Sequence, residues 1–247
     1  MIYYNGEYTG EENIISYNDC GFTTAIGIFD SMLALNGEAV YLNEHFDRIS
    51  HDTKIIIGLE FSLSKNEFSN IITHLLKENS LASDYARIRT TVTGGKVKAP
   101  LYPAENINIL IGVGKAGNPD NMEPISCAII TDFPRIAGCI LENCKRLDYT
   151  RSYAARRAAE NLGAQEAIIT NTKGNIACGA TSNIFIEENG ALITPPLSDG
   201  VLAGVTRRKI IEERDVREES ISIHRLKSAG KIYLTNSFFG LRGGTLK

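Results

Sequence analysis

Lys145 is followed in order by Gly179-Ala-Thr-Ser-Asn-Ile-Phe185, Ile193-Thr-Pro-Pro196 and Leu202-Ala-Gly-Val-Thr-Arg207. A lone lysine carries no information. An amine followed by a small-polar turn, a strand, a Pro-Pro exit and a Gly-Val-Thr helix start pairs a nucleophile with an anion site. Lysine amines condense with carbonyl groups, and the free N–H groups and dipole of a helix start attract phosphates. An aldehyde ligand with a phosphate tail requires that combination. Taken alone, Gly204–Arg207 reads as an ordinary helix start with Thr206 near its cap. Tyr233-Leu-Thr-Asn-Ser237 ends an expected strand on polar residues suited to phosphate or to a turn, and Arg48 alone reads as a solvated charge.

The elements that must position these residues follow from periodicity. Residues 43–57 carry Phe46, Ile49, Thr53 and Ile56 at helical spacing, and 65–78 carry Phe68, Ile71, Ile72, Leu75 and Leu76 as a second stripe. Residues 85–93 alternate, with Ala86, Ile88, Thr90 and Val92 on one face and Arg87 and Arg89 on the other. A strand is expected at 107–113. Asn5-Gly6, Asn36-Gly37 and Gly94-Gly95 read as hairpin turns. Gly114–Met122 is the linker candidate, separating an N-terminal lobe (1–113) from a C-terminal lobe (123–247) that carries Lys145. After it we expect strands near 125–131 and 138–144 and a helix at about 151–162 ended by Gly163. Strands at 166–170, 175–178, 183–187 and 191–194 follow, with turns at Lys173-Gly174 and Asn189-Gly190. A helix from Val205 to about Glu213 precedes a last strand at 231–235. The fold class is α+β, in two lobes with a cleft between them.

Composition narrows the function. The chain has 247 residues, 43% hydrophobic and 22% charged, with a net charge of −3 and a pI near 5.9. That balance carries no electrostatic footprint for nucleic acid, so local groups must capture an anionic ligand. The five cysteines, at 20, 127, 139, 144 and 178, form no CxxC pair and no metal-binding pattern. Reduced thiols in a cytoplasmic protein follow. The N-terminus shows no signal peptide, and no apolar run approaches the ~20 residues of a membrane span. His45 lies on the first helix; His51, His74 and His224 read as solvated.

Together the pieces resemble the class IV (fold type IV), pyridoxal-phosphate-dependent aminotransferase and lyase family. The matching stretches are GIFDSM (27–32), NEHFDRI (43–49), ARIRTTVTGG (86–95), CKRLDY (144–149), Gln165–Arg207 and LTNSFFGLR (234–242). The resemblance implies a two-lobed fold with pyridoxal 5′-phosphate in the cleft, a small-molecule substrate and a homodimer. It makes Lys145 the Schiff-base lysine and proton shuttle. Arg48, Val205, Thr206 and Ser237, with neighbouring Asn236, match the phosphate site. Leu202 matches the residue beneath the pyridine ring, and Tyr149 the group on its phenolic oxygen. Arg89 is the implied partner of a substrate carboxylate, with Arg87 the alternative; Phe29, Ser31 and Lys96 line the same pocket. The Asn-Ser-x-x-Gly-x-Arg ending and the Cys-Lys-x-Leu stretch look most like the aminodeoxychorismate lyases, which release pyruvate and form 4-aminobenzoate for folate synthesis.

Three departures bear on that expectation. Cys178-Gly179 stands where the family has Glu-Gly, and a thiol stabilises a protonated ring nitrogen far less than a carboxylate does. Lys96-Val-Lys-Ala-Pro-Leu101 does not match the expected substrate loop, and the sequence stops at Lys247 without the usual closing helix. The alternatives are an aminotransferase for D-amino or branched-chain acids, and a non-catalytic relative.

Overall fold

The computed structural model describes every residue except 11, 13, 14, 120 and 121. The expected linker therefore lies partly outside the described residues. The chain forms two compact units: Met1–Asn118 with Cys144–Asp148, and Pro119–Asn143 with Tyr149–Lys247. The division after Asn118 lies within the expected linker, and the Lys145 segment packs with the first unit rather than the second. The physical reason is backbone pairing. Phe29 N–H donates to Lys145 O (2.9 Å), Leu147 N–H donates to Gly27 O (3.0 Å), and Ile28 bridges Arg146.

The first unit contains β1 (Ile2–Tyr4), β2 (Glu7–Thr9), α1 (Cys20–Thr24), β3 (Gly27–Leu35) and β4 (Glu38–Ala39). It continues with α2 (Leu42–Ile57), α3 (Lys65–Glu78), β5 (Ala86–Thr93) and β6 (Asn108–Lys115). Its six-stranded sheet runs β2-β1-β6-β5-β3-β4, antiparallel throughout. Asn5-Gly6 and Asn36-Gly37 turn two hairpins, with φ of 48° and 100°, and 50° and 82°, as primed turns demand. Gly94-Gly95 does not turn a hairpin. β5 and β6 are paired, but residues 94–107 join them.

α3 starts where Ser64 and Glu67 form a reciprocal capping box. Its stripe, Phe68, Ile71, Ile72, Leu75 and Leu76, packs with Phe46 and Ile49 of α2 on Ile28, Met32, Ile88 and Val92. Each such side chain contributes roughly 1.5–3 kcal/mol by leaving water. The helices take the even-numbered face of β3 and β5. Strand alternation leaves Phe29, Ser31, Arg87 and Arg89 on the other face.

The second unit contains β7 (Ile125–Arg135), α4 (Ile140–Asn143), α5 (Thr150–Asn161), β8 (Glu166–Asn171), β9 (Asn175–Gly179), β10 (Asn183–Glu188) and β11 (Ala191–Thr194). A 3₁₀ turn (Leu197–Asp199), α6 (Val205–Glu213), β12 (Val216–Glu218), β13 (Ile221–Ser222), α7 (Ile223–Ser228), β14 (Lys231–Asn236) and β15 (Phe239–Leu246) complete it. The nine-stranded order is β12-β11-β10-β14-β15-β7-β8-β9-β13. β9 and β10 stand far apart in that order, yet residues 180–182 alone join them, so the sheet must curl. Gly179 N–H donates to Ser182 O at 2.8 Å across the turn. On α5, Ala155 and Ala159 are fully buried against Ala128, Ala167 and Ile169, small residues that let the helix sit close to the sheet.

Two expectations fail here. Residues 138–144 are not a strand: Gly138 at φ 79° breaks the extended run, and the short α4 follows, with Glu142 buried. Nor is 231–235 the last strand, because β15 pairs with β14 and with β7. No described helix is long and apolar enough to cross a membrane.

Candidate active site

Lys145 is held by its backbone. Besides the Lys145 O and Leu147 N–H bonds to β3, its own N–H donates to Asp52 Oδ2 at 2.8 Å. Its Nζ sits 4.5 Å from the centre of the Phe29 ring, and the Arg89 guanidinium lies 3.9 Å from the same ring. Such contacts orient a cation through the ring quadrupole. Arg89, opposite Ser31 in the register, is therefore the arginine over Phe29, and Arg87 lies two pairs further on, opposite Leu33. Lysine, arginine, Phe29 and Ser31 are thus brought together. Lys96 is not: it lies beyond β5, exposed, bridging Asp19.

Arg48 is no solvated charge. Its side chain is 8% exposed beside an Asp30 that is 1% exposed. Asp30 Oδ2 accepts from Arg48 Nε (2.8 Å) and Nη2 (2.7 Å), and Oδ1 accepts from His45 Nδ1 at 2.7 Å. Burial alone would raise the Asp30 carboxyl; Arg48 and then His45 outweigh it and hold it at about 2. Nη1 takes no part in the pair with Asp30, which leaves one edge of the guanidinium for an anion.

In the second unit, α6 begins at Gly204 with no side-chain cap. Its first-turn N–H groups have no acceptor within the helix. Gly204 is needed for close approach: a Cβ there would stand 2.1 Å from Asn183 Oδ1, and Asn183 Nδ2 donates to Leu202 O at 3.0 Å. The Thr206 hydroxyl donates to Asn236 O at 3.0 Å, and Asn236 Nδ2 reaches Thr181 O at 3.5 Å. Three of the motifs singled out in the sequence, the 179–182 turn, the 204–207 helix start and Asn236-Ser237, therefore converge. Because the Thr206 hydroxyl proton is committed to Asn236, the helix amides are the donors this start offers an anion. Ser182 Oγ is buried with no hydrogen-bond partner.

Cys178 is buried and packs with Ala177 and Val201. Burial pushes its thiol up; the facing Arg135 guanidinium opposes that without reversing it. Arg135 also donates to Ser152 Oγ (2.7 Å) and Glu142 Oε2 (3.3 Å). Glu142 takes a second cation from Arg151. Tyr149, half-buried at the N-cap of α5, contributes to the electrostatics of the same arginine. A weak, neutral S–H donor backed by a fixed cation is what this position presents.

Sequence reasoning missed Asp30, Asp52, Arg135 and Glu142. One signal was readable: α2 buries His45, Asp52 and Thr53 on its apolar stripe, and polar residues there need built-in partners. Arg135 and Glu142 carried none.

The family described as Amino-transferase class IV matches residues 27–245. The chain is 28% identical to an aminodeoxychorismate lyase of Bacillus subtilis, covering 96% of this chain and 83% of that protein. It is 27% identical to a D-alanine aminotransferase of Staphylococcus epidermidis, covering 96% and 85%. A branched-chain aminotransferase crystal structure from Thermoproteus uzoniensis superposes with a TM-score of 0.91 at 24% identity, over 100% of this chain and 86% of that one, a likeness of fold alone. These relatives differ in named activity, so similarity carries the family and not the reaction. With most of its length matched, this chain belongs to the class IV amino-transferase family.

Proposed function

We propose that this protein is a pyridoxal-phosphate-dependent lyase that converts 4-amino-4-deoxychorismate to 4-aminobenzoate and pyruvate. The residues present fit the cofactor. An uncapped helix start and the orphaned Ser182 hydroxyl suit a phosphate and its ring. When bound, the cofactor supplies an aldehyde carbon and an electron-accepting ring.

In this reading Lys145 offers its amine to that aldehyde and holds or moves a proton at Nζ. The amides of Val205 and Thr206, the Ser237 hydroxyl beside Asn236 and the unpaired edge of Arg48 hold the phosphate. Leu202 would supply an apolar surface for the ring, and the Tyr149 phenol a hydrogen bond to its oxygen. Arg89, steadied on Phe29 beside Ser31, takes a substrate carboxylate, as a fixed guanidinium fork suits. A homodimer acting on a small molecule belongs to the same reading.

The observation that carries the lyase over the aminotransferase is Cys178. Where a carboxylate would keep the ring nitrogen protonated, this chain has a neutral thiol against Arg135. A reaction leaning wholly on the ring as electron sink loses much by that. One whose substrate ring becomes aromatic as pyruvate leaves loses less. Supplying aminodeoxychorismate should yield 4-aminobenzoate and pyruvate in equal amounts. Keto acid from D-alanine or branched-chain donors, without 4-aminobenzoate, would reject the lyase in favour of the aminotransferase.

A further inference from the structure

Beside the Lys145 backbone, the first unit gathers three metal-ligating side chains that sequence spacing does not announce. His51 and Asp52 lie on α2, and Cys144 precedes the lysine; one ligand atom of each lies within 4.8 Å of the others. We propose that His51, Asp52 and Cys144 form a binding site for a borderline-soft divalent cation of the zinc class.

His51 Nδ1 and Asp52 Oδ1 are 3.0 Å apart. Ligands about 2.0–2.1 Å from a tetrahedral zinc stand roughly 3.3 Å from one another, so the ion fits where these two atoms now share a proton. Cys144 adds the soft sulfur that selects zinc over magnesium or calcium. Asp52 and Cys144 are 2% and 5% exposed, whereas the His51 side chain is 61% exposed. The buried pair fixes the geometry, and the open side admits the ion and a water as fourth ligand. The Lys145 N–H bond to Asp52 Oδ2 orients the carboxylate with its other oxygen toward His51, the support that ligating carboxylates ordinarily have. Binding releases the thiol proton to solvent, so affinity rises with pH. The ion would grip Cys144 directly, and Lys145 through Asp52.

Zinc chloride titrated into chelator-treated protein by calorimetry, with X-ray absorption at the zinc edge, tests this without reference to any activity. It therefore fails or holds separately from the lyase reading. The expected result is one zinc per chain, with one sulfur at about 2.3 Å and nitrogen or oxygen at about 2.0–2.1 Å. Cys144→Ala and the near-isosteric Cys144→Ser should lose the sulfur shell, and His51→Ala should weaken binding at least about tenfold. A wild-type shell without sulfur, absence of one-to-one binding, sulfur retained in the Cys144 variants that fold, or unchanged affinity in His51→Ala would each overturn the site.

Discussion

Asp30→Asn removes a carboxylate that is 1% exposed and accepts from Arg48 twice and from His45 once. Its pKa lies at about 2 against 3.8 unperturbed. That difference of nearly two units, at about 1.4 kcal/mol each, is worth roughly 2.5 kcal/mol in favour of the charged form. The variant also strands the Arg48 guanidinium in the interior, which moves the expected loss to about 3–5 kcal/mol. Urea unfolding at neutral pH, with free cofactor held constant, reads it directly. The sign of the pH dependence follows from a depressed folded-state pKa. The wild-type advantage is complete above the unfolded value near 3.8, and is lost as pH falls through that value toward 2. Asp30→Asn/Arg48→Met, which removes both charges, should recover part of the stability. A loss under about 1 kcal/mol, or strict additivity in the double variant, would refute the reasoning.

Three further outcomes are expected. Thr206→Val deletes the hydroxyl bond to Asn236; it should cost about 1 kcal/mol in unfolding and weaken cofactor binding, with Thr206→Ser restoring both. Gly204→Ala places a methyl 2.1 Å from Asn183 Oδ1 and should destabilise by about 1–3 kcal/mol, and a wild-type melting profile would contradict the close approach of Asn183. Cys178→Glu should raise side transamination relative to pyruvate release, measured on the same enzyme preparation; equal or lower transamination counts against the thiol argument.

What was legible in the sequence was local. α3 spans the expected 65–78 because its capping box and apolar stripe act within one helix, and the Asn-Gly turns declared themselves by the positive φ they tolerate. Residues 138–144 looked β-rich, but the conformation of Gly138 and the pairing of Glu142 with Arg135 and Arg151 decided otherwise. β15 was hidden because Gly240, Gly243 and Gly244 have little strand propensity; partners on both sides supply its stability. The motif residues were found by type and order. Asp30, Asp52 and Arg135 were not, because a buried charge is recognised by its partner, and their partners lie in other segments of the chain. The assignment of the Lys145 segment to the first unit rests on bonds to β3 and α2, elements far from it in sequence.

The central claim is that the Lys145 amine carries the cofactor. Protein incubated with pyridoxal phosphate, reduced with borohydride, digested and mapped by mass spectrometry should carry one phosphopyridoxyl group, on the peptide containing Lys145, and none in Lys145→Ala. Label on another lysine, or undiminished labelling of the alanine variant, would contradict the account.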